Sequence, residues 1–410
     1  MLLFIESAST GAGMSHVKWA VDHGIDVAYV TDQLLEVPKS RLDGEVVDEL
    51  ERRGRVFQVP STMTGEVPSD LVDRIVAAGS PVGVICPLDR SVEFAAVLAQ
   101  RIGAPYPSPD AIRTIRDKRS ARDFYTEVGV PSVRWCDPRT PDELVAFMEQ
   151  LDGPVVLKNS KGAGSLHVRL IRDPADAPAT FAELSGDNPF MGGGLLAEEY
   201  ARGPVYSLET LIVDGRCHHL GITDRQLGPN PGFCEVSYTF PVRMPTSIEA
   251  GMRRTVETCV AALDIPQGAL HTEFAVLGDE AVIIEINIRP PGAGIPLMMN
   301  GCLESPVAEI LAAAALGTAL PSLEHNGRAS TTMTVYPPVA GQLRAVHGLE
   351  EARRAPFVAA VLPGTQIGEQ VFPPMDYRGW LCQILTVAPS PNLSFNAAAA
   401  AARDVWAEVE

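Results

Sequence analysis

His271-Thr272-Glu273-Phe274-Ala275-Val276-Leu277, then Gly278-Asp279-Glu280, then Ala281-Val282-Ile283-Ile284-Glu285-Ile286-Asn287-Ile288-Arg289 read as two alternating strands around a tight turn. The Gly-Asp-Glu centre is a hairpin signal, and both flanks carry the period of two that strands require. With a three-residue turn, Leu277 faces Ala281; the register then sets Glu273 opposite Glu285 and His271 opposite Asn287. The same period puts Glu285, Asn287 and Arg289 on one face and Ile284, Ile286 and Ile288 on the other. Directly opposed carboxylates repel each other. Two of them converging with a carboxamide call for a hard cation, and oxygen donors with room for water suit Mg²⁺ held together with phosphates. The competing reading is an edge hairpin whose charges face water; the apolar opposite face argues for tight packing instead. Arg289 runs into Pro290-Pro291-Gly292-Ala293-Gly294. So stiff a loop suits a guanidinium fixed near a transferring phosphoryl group or a tetrahedral adduct.

Upstream, Pro154-Val155-Val156-Leu157-Lys158 is a strand ending on a lysine, followed by Asn159-Ser160-Lys161-Gly162-Ala163-Gly164-Ser165 and a second strand at 166–171. Small residues let backbone N–H groups approach phosphate oxygens, and the lysine supplies charge. In a G-x-x-x-x-G-K-[ST] loop the lysine follows the glycines and opens a helix. Here it comes first and the loop joins two strands, as a flap would; an ordinary hairpin turn is the plainer alternative. Leu195-Leu196-Ala197-Glu198-Glu199-Tyr200-Ala201 is a strand closing on two acids, suited to offering backbone groups to an adenine edge. A helix carrying Asp117-Lys118-Arg119-Ser120-Ala121-Arg122 precedes both.

The first hundred residues alternate strands at 2–5, 26–31 and 82–86 with helices at 14–23, 69–78 and 91–102, which predicts βαβ units and a parallel sheet. Ser7-Ala8-Ser9-Thr10-Gly11-Ala12-Gly13 is similar to a dinucleotide fingerprint, but His16 stands where the third glycine belongs and no acidic ribose partner follows. A nicotinamide cofactor is therefore the weaker reading. A tight turn at the strand carboxyl ends, where ligands sit in such folds, is the stronger. Further on, strands and one helix at 247–263 fill 206–288, and the tail from Ser330 is β-rich with a closing Ala-rich helix at 396–409.

The 410 residues carry 33 Lys+Arg against 51 Asp+Glu, a formal net charge of −18. That balance argues against binding a nucleic-acid backbone or an anionic membrane surface. No apolar run approaches the roughly 18–20 residues that span a bilayer; the stretch at 310–320 reads as a buried helix. The amino terminus lacks the basic segment of a signal peptide. Cys86, Cys136, Cys217, Cys234, Cys259, Cys302 and Cys382 form no C-x-x-C pair, which suits neither a disulfide framework nor structural zinc. A cytoplasmic protein with reduced thiols is expected.

Taken in order, Lys118 in a helix, Lys158 before a glycine flap, the acidic hinge Glu198-Glu199-Tyr200-Ala201, then Glu273 and Glu285-x-Asn287-x-Arg289 resemble the ATP-grasp superfamily over nearly the whole chain. The resemblance implies an α/β fold with an N-terminal Rossmann-like parallel-sheet domain (1–112), a flap-bearing α+β lid (113–203), a central α+β domain (204–328) and a small β-rich C-terminal region (329–410). It implies ATP and Mg²⁺, two ions, with Mn²⁺ as an alternative. Lys118 and Lys158 would contact the ATP phosphates beneath a flap of Gly162, Gly164 and Ser165, and Glu198, Glu199, Tyr200 and Ala201 would meet adenine. Glu273, Glu285 and Asn287 would hold the ions, and Arg289 would steady an acyl-phosphate and the tetrahedral adduct. Where many members carry an acid for the ribose hydroxyls, this chain has Val205, with Glu209 as a substitute. His271-Thr272-Glu273 and the spacing from Glu285 to Arg289 look like the L-amino-acid ligase branch, which makes dipeptides and related amides in secondary metabolism, antibiotic biosynthesis included. Arg225 is the candidate for a substrate carboxylate, against an ion pair with Asp224 or another surface acid; His271, Gly292 and Gly294 complete the substrate site. A non-catalytic ATP-binding sensor or partner subunit and a carboxylase-type enzyme are the alternatives. The family likeness also implies a homodimer through the first domain.

Overall fold

The computed structural model describes residues 1–9, 11–162, 166–186, 193–230, 232–375 and 378–410. Four short strands, Leu2–Ile5, Val27–Thr31, Val56–Gln58 and Gly83–Ile85, pair in parallel with the first beside the second and the fourth. Both faces are covered, as a parallel sheet needs: Leu3, Ile5 and Val30 pack with Leu71, Ile75 and Leu98, while Leu2, Phe4 and Tyr29 pack with Val17 and Leu50. The strand Val56–Gln58 and the helix Val46–Arg52 were not apparent in the sequence, because three and seven residues are too short to display a period.

The Lys158 strand, Val155–Asn159, sits in a four-stranded antiparallel sheet with Trp135–Cys136, Leu195–Glu199 and Val168–Ile171. Leu144 and Phe147 of the helix Pro141–Leu151 cover it, closing on Leu157 and Ile171.

The largest sheet has eight antiparallel strands, in the order Glu280–Asn287, Gly268–Leu277, Val205–Val213, Arg216–Leu227, Glu235–Val242, Ala329–Val335, Cys382–Ala388 and Val358–Pro363. Strands from either side of residue 328 thus join one sheet, with Ser237 paired to Met333 and Phe240 to Ser330.

Within the hairpin, Glu273 pairs with Glu285 and His271 with Asn287, as the alternation predicts, but by a different route. The turn has two residues, with Leu277 opposite Glu280 and Gly278 at φ +62°. A bulge between Glu273 and Phe274 restores the expected register. Ile284 is the extra residue, so it leaves the apolar face: Ala281, Ile283, Ile286 and Ile288 are the ones in the core. The bulge has a cause. Arg122 donates to the carbonyls of both Ile283 and Ile284, at 3.2 and 2.6 Å, and two consecutive carbonyls reach one guanidinium only where the pleat is broken.

The expected closing helix is shorter and lies earlier, at Pro391–Ala402, and a strand follows at Trp406–Val409. The run of alanines sustains a helix, whereas Val405-Trp406 restores β-formers, and Trp406 stacks on His347 of the strand Gly341–His347. None of the seven cysteines forms a disulfide. Among the described residues, no helix is long and apolar enough to cross a membrane.

Gly11, at φ +62°, lies against the loop after Arg289: a Cβ there would stand 1.7 Å from the carbonyl oxygen of Ala293. The glycine of the first turn is accounted for by this approach.

Candidate active site

The helix Lys118–Glu127 is capped by Asp117, whose carboxylate accepts from Arg119 N. Its first residue is held on both sides: Lys118 N donates to Ser160 O at 2.9 Å, and Nζ donates to Gly162 O at 2.7 Å. The same Nζ lies 3.0 Å from Glu285 Oε1. Lys118 therefore ties the root of the flap to the acidic face of the hairpin. Gly164 and Ser165 lie outside the described residues.

One turn along that helix, Arg122 is 2% exposed. Spacing of four places it on the face of Lys118, and its Nε donates to Glu198 Oε1 at 2.8 Å and its Nη1 to Ser132 Oγ at 3.0 Å. Lys158 Nζ sits 2.6 Å from the other oxygen of Glu198. Glu198 is thus the shared anion of two buried cations. Burial alone would raise its pKa; Arg122 and Lys158 outweigh that and hold it below the usual range. Burial pushes the Lys158 ammonium down, against the pull of Glu198. The Glu198 side chain is committed to these cations, so only its backbone is left for an adenine edge. Glu199 pairs at the surface with Arg134 at 2.8 and 3.0 Å, the Tyr200 ring meets Phe233 edge-on with Arg172 above it, and Ala201 O accepts from Gly203 N.

On the neighbouring strands, His271 Nδ1 is 2.8 Å from Glu209 Oε2, and its Nε2 is 3.5 Å from Glu273 Oε1. Glu209 is fully buried and also accepts from Ser207 and Thr223. Both oxygens are taken, so it serves as the counter-ion of His271 and is closed to a ribose. Arg225 is buried in an ion pair, though not with Asp224: its partners are Glu273, at 2.6 Å, and Glu235. Its Nε is buried without a hydrogen-bond partner. Burial would raise the Glu273 carboxyl, yet Arg225 and His271 hold it far below the ordinary range. Burial would likewise lower His271, but Glu209 lifts it to about 9.

The His271–Glu209 pair has a pH consequence. A raised histidine pKa gives stability that is complete below the unfolded value of about 6.5 and is lost as pH rises through the folded value. Between pH 6 and pH 10 the unfolding free energy of the wild type is expected to fall, and this fall should be absent from His271→Gln; urea titrations at each pH measure it.

Arg289 leaves the last strand and reaches across to Asp89 in the turn Asp89–Ser91, Nη2 to Oδ2 at 2.5 Å over a separation of 200 residues. Its Nη1 donates to Pro290 O, and its Nε is buried without a partner. Gly292 and Gly294 lead into the helix Ile295–Cys302, with Gly294 at its N-cap; free N–H groups gather at such a terminus. Glu285 and Asn287 line a small cleft together with Asp89, Arg116, Val92, Ile112 and Ile115.

The hairpin donors suit Mg²⁺. No three acidic, histidine or cysteine side chains gather as a ready cage among the described residues, but Mg²⁺ needs only one or two carboxylates when phosphates supply the rest. Glu285 already accepts a cation, the Lys118 ammonium, on the oxygen that faces the flap.

The structure therefore brings Lys118, Lys158, Glu198, Glu273, Glu285 and His271 into linked charge clusters, with Asn287 and Arg289 along the same strand end. Sequence reasoning missed Arg122, Glu235 and Asp89. The Lys118-x-x-x-Arg122 spacing carried a signal for the first; nothing local marked Asp89.

Residues 151–296 match the ATP-grasp domain and residues 333–410 match the L-amino acid ligase C-terminal domain 2. Carnosine synthase 1 of Homo sapiens is 25% identical over 222 residues, covering 50% of this chain and 27% of that protein. Alanine–anticapsin ligase of Bacillus subtilis is 24% identical over 247 residues, 54% of this chain and 52% of that one. The chain thus spans about half or less of the length of these relatives. The crystal structure of an L-amino acid ligase from Bacillus licheniformis superposes with a TM-score of 0.80 at 19% identity, covering 100% of this chain and 98% of that one. The chain thus carries an ATP-grasp domain at 151–296 and an L-amino acid ligase C-terminal domain 2 at 333–410.

Proposed function

We propose that the protein is an ATP- and Mg²⁺-dependent carbon–nitrogen ligase that activates the carboxylate of one amino acid as an acyl-phosphate and joins it to the amine of another, releasing ADP and phosphate. The observation that carries this reading is the Lys118–Glu285 contact, which sets a phosphate-binding lysine, an acidic hairpin and a flap root at one point, with Arg289 at the end of the same strand. The match to an L-amino acid ligase domain at 333–410 and the likeness to alanine–anticapsin ligase support amino acids as substrates.

Glu273, Glu285 and Asn287 would hold the Mg²⁺, which when bound would neutralise the charge of the phosphates. Lys118 and Lys158 turn from Glu285 and Glu198 toward the phosphate oxygens. A carboxylate oxygen of the first substrate attacks the γ-phosphorus and ADP leaves. The amine nitrogen of the second attacks the acyl carbon, phosphate departs, and the amine gives up a proton. Arg289, fixed by Asp89, and the N–H groups at Gly292 to Gly294 face the oxyanion of that adduct; donors preorganised where charge develops give large rate gains. Closure of the flap over the lysines keeps water from the acyl-phosphate. Glu199, Tyr200 and Ala201 border the adenine.

The test is phosphate release from ATP and Mg²⁺ with the twenty amino acids supplied singly and in pairs, with mass spectrometry of the products. Release that needs a pair, with a product lighter than the pair by one water, is the expected result. ATP binding without release from any pair would replace the ligase with a non-catalytic nucleotide-binding protein.

A further inference from the structure

The cations of the site differ in one respect. Lys118 is paired with Glu285, Lys158 and Arg122 with Glu198, Arg225 with Glu235 and Glu273, and Arg289 with Asp89. Arg116, the last residue of the helix Pro109–Arg116, lines the same cleft as Glu285 and Asn287 and is half-buried, and its side chain makes no ion pair or hydrogen bond among the described residues. Its charge is felt by Asp89 across the cleft, but Asp89 is already bonded to Arg289. In a chain with a net charge of −18, a guanidinium left open beside acidic groups is positioned for an anion brought from outside, and a planar donor fork matches a carboxylate.

We propose that Arg116 is the subsite for the free carboxylate of the acceptor amino acid, so that this enzyme takes an amino acid rather than a simple amine or an amide as its second substrate. This rests on the ligase reading above. The carboxylate that is phosphorylated is the less suitable occupant: a guanidinium bound to it would draw off the charge it needs to attack phosphorus. The acceptor's carboxylate is a spectator. It must approach Glu285 and Asp89 with its charge intact, and without a counter-ion it would be repelled by both. Arg116 supplies that counter-ion from the same cleft.

The experiment uses the full chain with ATP, Mg²⁺ and a pair of amino acids that the wild type joins, with the acceptor offered as the free acid and as its carboxamide. Loss of a charge-assisted hydrogen bond corresponds to about a 10- to 100-fold weakening. Arg116→Gln is expected to raise KM for the free-acid acceptor by that factor, leaving KM for ATP, KM for the donor and use of the carboxamide within about twofold, with Arg116→Lys recovering part of the loss. A wild type that uses acid and carboxamide equally well overturns the proposal. So does an Arg116→Gln variant with an unchanged acceptor KM, or one whose loss falls on ATP or on the donor. A wild type that makes no amide from any pair defeats the ligase reading and this inference with it; ligation that survives Arg116→Gln unchanged defeats the inference alone.

Discussion

Arg122→Met is expected to lower the unfolding free energy by about 3–5 kcal/mol, the range for breaking a buried ion pair from one side. Arg122 is enclosed, and its guanidinium serves Glu198, Ser132 and the carbonyls of Ile283 and Ile284 at once. Methionine fills much of the volume but supplies none of these donors. Glu198 is then left with Lys158 alone, and two carbonyls at the bulge lose their partner, where each unmet buried group costs about 1–3 kcal/mol. Urea unfolding followed by fluorescence gives the number. The double variant Arg122→Met, Glu198→Gln should recover part of the loss, because it removes the uncompensated charge. A change below about 1 kcal/mol in the single variant would mean that the buried network is not under electrostatic load.

Glu285→Gln should behave in the opposite way. Its side chain is 27% exposed, and its one ion pair among the described residues is with Lys118, so the fold should lose no more than about 1 kcal/mol. Amide formation, in contrast, is expected to fall at least about 100-fold, the cost of removing one charge that is preorganised for the transition state. The amide oxygen keeps the shape and half of the donor set but not the charge, so the Mg²⁺ concentration giving half-maximal turnover should also rise. Turnover is read from phosphate release and amide product together, and stability from the same urea titration. Wild-type turnover in this variant would remove the hairpin from the reaction centre.

Much of this centre could be read in the sequence because alternation is a local property. Alternation with a three-residue turn put Glu273 opposite Glu285 and His271 opposite Asn287, and that pairing is observed because the bulge offsets the shorter turn. The bulge at Ile284 was not legible, since its cause is Arg122, 162 residues earlier. Arg225 illustrates a second limit. Ion pairing was foreseen, but strand alternation turns Arg225 away from Asp224 and toward Glu235 on the adjacent strand and Glu273 two strands away, and only sheet order decides which strands lie within reach. The parallel sheet at the amino end followed from βα alternation, whereas the three residues of Val56–Gln58 carry no period to detect. At the carboxyl end, an alanine run extended the helix on paper past the point where Trp406–Val409 finds a strand to pair with.

The bonds of Arg289 to Asp89 and of Arg122 to Ile283 and Ile284 span 200, 161 and 162 residues. Contacts this remote in sequence form late, after the entropy of closing large loops has been met. During synthesis, the amino-terminal sheet and the sheet bearing Lys158 emerge well before the ribosome reaches residue 285. A nascent chain that ends before residue 283 therefore lacks the hairpin groups that Lys118 and Arg122 bind. The long reach of the two arginines thus makes the joining of these elements wait for residues 283 to 289.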